Sequence, residues 1–221
     1  LCYIGRPSVG PVFLIHGEPM AARFLVLDGP EGCGKSTQLQ LLADRLSRQG
    51  VAVVCVRDPG TTRIGEQIRA ILLDPSHGEM AMRCEMLLYM AARAQMMSQS
   101  IAPALAQGQT VLCDRFVSST LAYQLGGEGL TAQQIQAVAD IAIGGRWPDL
   151  TIILDIAPQR AFERVQRAKD RIEQRPIEYH QQVRQNFLAQ AQADPQRYRV
   201  VDADRTPEEV HQDIWRLVSG Q

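Results

Sequence analysis

The chain has no apolar run approaching the roughly 20 residues that cross a bilayer, which argues against a membrane-spanning helix. It has no charge excess: 23 basic against 24 acidic side chains leave a net charge of −1, so no global field draws in a nucleic-acid polymer or an anionic surface. It has no paired cysteines. Cys2, Cys33, Cys55, Cys84 and Cys113 are odd in number and scattered, without C-x-x-C spacing. Neither a disulfide framework nor a zinc site is indicated, and Cys33, Cys55 and Cys113 read as small buried hydrophobes of a reducing cytoplasm. The four histidines show no metal-ligand spacing. There is no Asn-Lys-x-Asp base-recognition motif of a switch GTPase, no internal repeat and no low-complexity linker.

What remains is a globular composition, 45% apolar over 221 residues, sufficient for one α/β domain with a full core. Residues 1–22 differ from the rest, with three prolines and no periodicity, and are expected to be a flexible extension ahead of a single domain at 23–221. Short runs rich in Val, Ile and Leu predict strands at 24–28, 51–56, 110–114, 150–155 and 199–202. They alternate with helical patterns at 36–49, 62–73, 80–107, 116–124, 132–143, 158–168, 177–193 and 207–218. The expected fold is α/β, a parallel five-stranded sheet with helices on both faces.

Gly29-Pro30-Glu31-Gly32-Cys33-Gly34-Lys35-Ser36 spells G-x-x-x-x-G-K-S between the first strand and the first helix. The glycines let successive N–H groups point inward at a phosphate. Lys35 brings a point charge to the outer phosphates, and Ser36 a hydroxyl to Mg²⁺. The helix opening at Ser36 and Thr37 sets its positive end under them. In such sheets ligands lie at the carboxyl ends of the strands, where this chain carries Asp28, Arg57-Asp58-Pro59-Gly60, Asp114-Arg115 and Asp155. Arg160, Arg164, Arg167 and Arg171 are spaced 4, 3 and 4, and so share one face of a helix.

Taken in order, Asp28-Gly29-Pro30-Glu31-Gly32, Arg57-Asp58-Pro59-Gly60, Tyr89-Met90-Ala91-Ala92-Arg93, Asp114-Arg115-Phe116, Ser119-Thr120-Leu121-Ala122-Tyr123-Gln124 and Asp170-Arg171-Ile172-Glu173 make the chain resemble the thymidylate kinases, P-loop nucleoside monophosphate kinases, over residues 23–218. The resemblance implies ATP and Mg²⁺, dTMP as acceptor, a homodimer and a cytoplasmic enzyme. It implies that Gly29 through Thr37 hold the ATP phosphates, and that Arg57 and Arg115 clamp the acceptor phosphate with Arg69 nearby. It implies that Tyr89 stacks on thymine, Arg93 bonds its edge and Tyr123 crowds the sugar 2′ position, in a site shared with Ser119, Thr120 and Gln124. Asp28 matches a carboxylate near the sugar 3′-OH and the metal, and Ser36 and Asp114 are the metal candidates. Residues 163–176 resemble the lid, whose Arg171 and Arg167 would reach the donor phosphates; a solvated basic face paired with Glu163 and Asp170 is the alternative. Three features depart from the family: Thr61 stands where a second glycine is usual, Leu125 and Glu128 alter the Gly-rich stretch after Gln124, and the lid is about two residues short. They leave open a kinase with another acceptor, or a nucleotide-binding protein with weak activity.

Overall fold

A computed structural model describes residues 22–165, 168 and 170–220. The expected extension, apart from Ala22, lies outside the described residues, as do Gln166, Arg167 and Lys169 of the lid segment. Five parallel strands, β1 (Phe24–Asp28), β2 (Val53–Arg57), β3 (Thr110–Asp114), β4 (Leu150–Asp155) and β5 (Tyr198–Asp202), pair in the order β2-β3-β1-β4-β5. The central β1 is buried on both faces. Phe24 and Val26 pack with Val111, Cys113 and Phe116 on one side, while Leu25 and Leu27 meet Leu112, Ile152 and Leu154 on the other. This is why these strands read as continuous apolar runs rather than alternating ones. β2 lies at an edge, and there Cys55 is exposed, unlike Cys33 and Cys113. The expectation that Cys55 is buried therefore fails at the sheet edge.

The helices are α1 (Lys35–Arg48), α2 (Arg63–Leu73), α3 (Met82–Met96), α4 (Ala102–Ala106), α5 (Val117–Tyr123), α6 (Ala132–Ile143), α7 (Pro158–Glu163), α8 (Ile177–Ala193) and α9 (Pro207–Ser219). Two sequence expectations change. The long helix at 80–107 is divided by a π-helical turn at Met97–Ile101. Pro103 follows it, lacks the N–H that would continue the ladder, and would crowd the carbonyl four residues back. Met86, Met90, Met96 and Met97 fill the core beneath this helix. The helix expected at 158–168 stops at Glu163, so Arg160, Arg164 and Arg171 do not share a helical face. Asp170 opens a separate turn, its Oδ1 accepting from the N–H groups of Ile172 and Glu173 at 2.9 and 3.0 Å. A short acidic side chain that bonds the backbone ahead of it starts a new turn instead of continuing a helix.

The chain winds from β1 to β2 and β3 on one side, then crosses to β4 and β5 on the other. The reversal falls beside β1, so the crevice at the carboxyl ends of these strands opens over the glycine-rich segment that follows β1.

Candidate functional site

The loop from Gly29 to Gly34 curls back over the start of α1. Gly29, Gly32 and Gly34 have φ of 139°, 72° and 93°. A Cβ on Gly32 would stand 2.2 Å from the Ala161 carbonyl oxygen, and one on Gly29 would stand 2.5 Å from that of Leu154. Both positions therefore require glycine for the backbone path and for the space. Lys35 is largely buried, its Nζ donating to the carbonyls of Gly29 (3.2 Å) and Pro30 (2.8 Å). Ser36 Oγ bonds Asp114 Oδ2 at 3.2 Å. Burial raises the Cys33 thiol above its ordinary pKa despite the neighbouring Lys35 and Arg115, so it stays an S–H within the loop.

Two cavities open along the crevice. One follows the loop, walled by Gly32 through Gln38, Arg57, Asp114, Arg164, Val165, Ala203 and Arg205. The other lies over α3 and α5 and is walled by Leu73, Tyr89, Arg93, Ser119, Thr120, Tyr123, Gln124, Asp170 and Ile172. Glu31, Asp58, Arg69 and Arg115 belong to both. Two compartments that meet along carboxylates and guanidinium groups suit two phosphorylated ligands whose charged ends converge.

Arg115 forms the middle of that shared wall. It takes φ of 67°, rare for a residue with a side chain. Its Nη1 reaches Asp28 Oδ1 (3.2 Å), the Gly29 carbonyl (2.8 Å) and Ser119 Oγ (3.0 Å), and its Nη2 reaches Glu31 Oε1 at 2.5 Å. Burial opposes its charge, yet the carboxylates of Glu31 and Asp28 hold its pKa well above the ordinary value. The guanidinium also lies over the Tyr123 ring. Burial pushes the Tyr123 phenol well up, against the pull of Arg115, so it remains an O–H donor.

Asp28 is differently placed from the expectation of a substrate- and metal-facing carboxylate. It is fully buried and lines neither cavity. Its oxygens accept from Gly29 N, Ser118 Oγ, Ser119 Oγ and Arg115, so the carboxylate is consumed in joining the loop to α5. Of the two acidic residues that line both cavities, Asp58 is paired with Arg93, and Glu31 is one that the sequence reading places only within the loop. Arg57 lines the loop cavity and not the α3 cavity, and is ion-paired with Glu66 at 3.0 Å. Arg69 donates to the Pro59 carbonyl, and burial together with Arg57 lowers its pKa.

Arg93 is 1% exposed and held by Asp58, with Nε and Nη2 at 2.7 and 2.5 Å from Oδ2. Its Nη2 also reaches the Phe116 carbonyl, and Nη1 faces Thr120 Oγ1 at 3.4 Å. The acidic partner was missed in the sequence, although its adjacency to Pro59 at a strand end marked the segment. Glu85 was missed too. It lies four residues before Tyr89 and eight before Arg93, and that spacing puts all three on one helical face. Arg171 does not line the loop cavity. It is buried, with Nε on the Leu72 carbonyl (2.8 Å) and Nη2 on Glu85 (2.5 Å). The described lid residue that lines the loop cavity with an arginine side chain is Arg164.

The departures from the family pattern are absorbed locally. Thr61 takes φ of 66°, and its hydroxyl bonds both the N–H and the carbonyl of Arg57. Leu125 is 37% exposed and lines neither cavity. Glu128 accepts from the N–H groups of Met82 and Arg83 at 3.0 and 3.3 Å, capping α3, whose own first residues supply no cap.

A phosphate loop at the central strand of a parallel sheet, joined to a second polar cavity, defines a P-loop phosphotransferase. The family model for thymidylate kinase matches residues 27–214. The thymidylate kinase of Pelotomaculum thermopropionicum is 46% identical over 198 residues, covering 88% of this chain and 92% of that one. That of Deinococcus radiodurans is 44% identical over 198 residues, covering 89% and 96%. The crystal structure of the Ehrlichia chaffeensis thymidylate kinase superposes with a TM-score of 0.73 at 30% identity, over 90% of this chain and 99% of that chain. The chain belongs to the thymidylate kinase family, enzymes that use ATP with Mg²⁺ to phosphorylate dTMP to dTDP. Among the described residues no helix is long and apolar enough to cross a membrane.

Removing one member of a buried ion pair strands the other in low dielectric. Asp58→Ala is expected to cost about 3–5 kcal/mol in urea unfolding, because Arg93 then stays buried without its carboxylate. A loss below about 1 kcal/mol, the range of an exposed pair, contradicts this reading of the pair.

Proposed function

We propose that dTMP occupies the cavity over α3 and α5, and that the ATP phosphates lie along Gly29 to Thr37. The observation that carries this reading is the shared wall of Glu31, Asp58, Arg69 and Arg115, which brings the two phosphate ends together. Tyr89 offers a ring face and Arg93 a guanidinium to the base. Asp58 keeps Arg93 from rotating, so its Nη1 edge toward Thr120 is presented in one orientation. Tyr123, packed edge-on against Tyr179 and Phe187, forms a rigid wall for the sugar. Glu31 at the junction faces the sugar, where the resemblance puts Asp28 near the 3′-OH and the metal. Ser119, Thr120 and Gln124 complete the polar rim.

The nucleophile is an acceptor phosphate oxygen, already ionised at neutral pH, so no general base is required. Catalysis reduces to alignment and to stabilising charge on the phosphoryl group in flight. Arg115 and Arg69 serve the acceptor side of the junction. Lys35, released from the carbonyls of Gly29 and Pro30, serves the donor side, and Arg57 and Arg164 face the same cavity. No cluster of three His, Cys, Asp or Glu among the described residues could hold a metal ion alone. Ser36 and Asp114, 3.2 Å apart at the loop, fit a cation that takes its remaining ligands from phosphate oxygens and water. Bound there, Mg²⁺ would neutralise charge on the donor phosphates.

Ile64 and Ile71 on α2, Leu87 on α3 and Ile141 on α6 expose large apolar side chains. This supports a homodimer formed through these helices, and use of ATP and dTMP supports a cytoplasmic place. Light scattering is expected to give twice the 24.5 kDa chain mass; a monomer at micromolar concentration contradicts the dimer.

Steady-state kinetics with both substrates varied tests the site. Lys35→Ala is expected to lower kcat about 10²–10³-fold, as loss of a charge-stabilising donor does. Arg93→Lys is expected to raise KM for dTMP about tenfold while KM for ATP stays within about twofold, because lysine cannot reproduce the two-bond clamp. An unchanged KM for dTMP would remove this cavity from acceptor binding.

A further inference from the structure

One buried carboxylate outside the residues assigned above ties the acceptor cavity to the lid. Glu85, in the first turn of α3, is fully buried. Its Oε1 accepts from Gln124 Nε2 at 2.8 Å. Its Oε2 accepts from Arg171 Nη2 at 2.5 Å and from Arg175 Nη2 at 2.7 Å. The Arg171 main chain is fixed as well, its N–H meeting the Leu73 carbonyl at 3.3 Å. Gln124, Leu73, Asp170 and Ile172 all line the acceptor cavity. At the other end of the same segment, Arg164 and Val165 line the loop cavity.

One carboxylate facing two guanidinium groups is poor as a stability device, since burying three charges costs about as much as their attraction returns. It is well suited to holding a wall in place, because neither arginine can leave without stranding a charge. We propose that Glu85 is a positioning residue for the acceptor: it fastens the 170–175 segment and the Gln124 amide against the acceptor cavity, so that dTMP affinity depends on its carboxylate although it lines neither cavity. This rests on the reading that the cavity takes dTMP. Arg175, 19% exposed and outside both cavities, reports the same link. It lies over the Tyr179 ring, and the Tyr179 hydroxyl in turn donates to the Tyr123 carbonyl at 2.8 Å.

Calorimetric titration of the full chain with dTMP, and separately with a non-hydrolysable ATP analogue, tests it on Glu85→Gln, Arg175→Gln and Arg93→Lys. Glu85→Gln is expected to weaken dTMP about tenfold and Arg175→Gln about threefold, with the ATP analogue within about twofold for both. Equal weakening of both ligands would mean a merely structural role and overturns the proposal. So would dTMP affinity within about twofold of the unaltered chain in both variants, whatever the change in Tm. If Glu85→Gln does not fold, Arg175→Gln decides by the same criterion. Arg93→Lys separates the two levels: if it weakens dTMP while the other variants do not, the link fails and the site stands. If it too is without effect, the site reading falls and the proposal with it.

Discussion

The geometry of the site hangs on the Arg115 guanidinium and the carboxylates it joins. Asp28 ends the central strand with no exposure to solvent, a position where a lone charge would cost several kcal/mol. Arg115, at the end of the neighbouring β3, answers that charge and takes a left-handed backbone to do so, at a cost of about 1–3 kcal/mol. Its own N–H is held by the Leu27 carbonyl and its carbonyl by the Cys113 thiol. With both ends fixed, the side chain bridges the phosphate loop, α5 and Glu31. The loop, the wall of the cavity over α3 and α5 and the boundary between the cavities therefore share one anchor. If Arg115 moved, the Asp28 carboxylate and the loop that follows it would move too.

The cavity over α3 and α5 repeats the pattern of arginines held by buried acids. Asp58 immobilises Arg93, and Glu85 immobilises Arg171 and Arg175. Such pairs contribute little net stability, and their value lies in orientation. A free arginine samples many rotamers, whereas one clamped through Nε and Nη2 presents a single remaining edge. This also accounts for how the chain tolerates its departures from the family pattern. Thr61 keeps the left-handed turn by bonding Arg57, and Glu128 does useful work as a carboxylate because its target is the positive end of α3.

Much of the fold was legible because its signals are local and redundant. Runs such as Phe24-Leu25-Val26-Leu27 suit only a strand buried on both faces, and Thr206-Pro207 with Glu209 marks a helix start, observed with its capping box. Boundaries failed where a local feature overrode periodicity: Pro103 follows the π-turn and cannot continue the hydrogen-bond ladder, and Asp170 begins a turn where the arginine spacing suggests a continuing helix. At the site, residue types at strand ends point to the crevice, but a sequence does not show which way a carboxylate faces. Asp28 at the end of β1 and Glu31 in the loop are three residues apart, and burial assigns the first to the interior and the second to the crevice. Sequence alone suggests a donor-side arginine at Arg171, because its buried partner, Glu85, lies 86 residues away. The helical spacing of Glu85 with Tyr89 and Arg93 was a signal that could have found it.

The most direct test of this account is single-turnover phosphoryl transfer by Arg115→Lys, with ATP and dTMP both saturating and folding checked by near-ultraviolet circular dichroism. A lysine keeps the charge but cannot span Asp28, Gly29, Ser119 and Glu31 together. The account predicts a transfer rate lowered about 10²-fold or more in a folded protein that still binds ATP. A folded variant transferring at close to the original rate would contradict the central place given to Arg115.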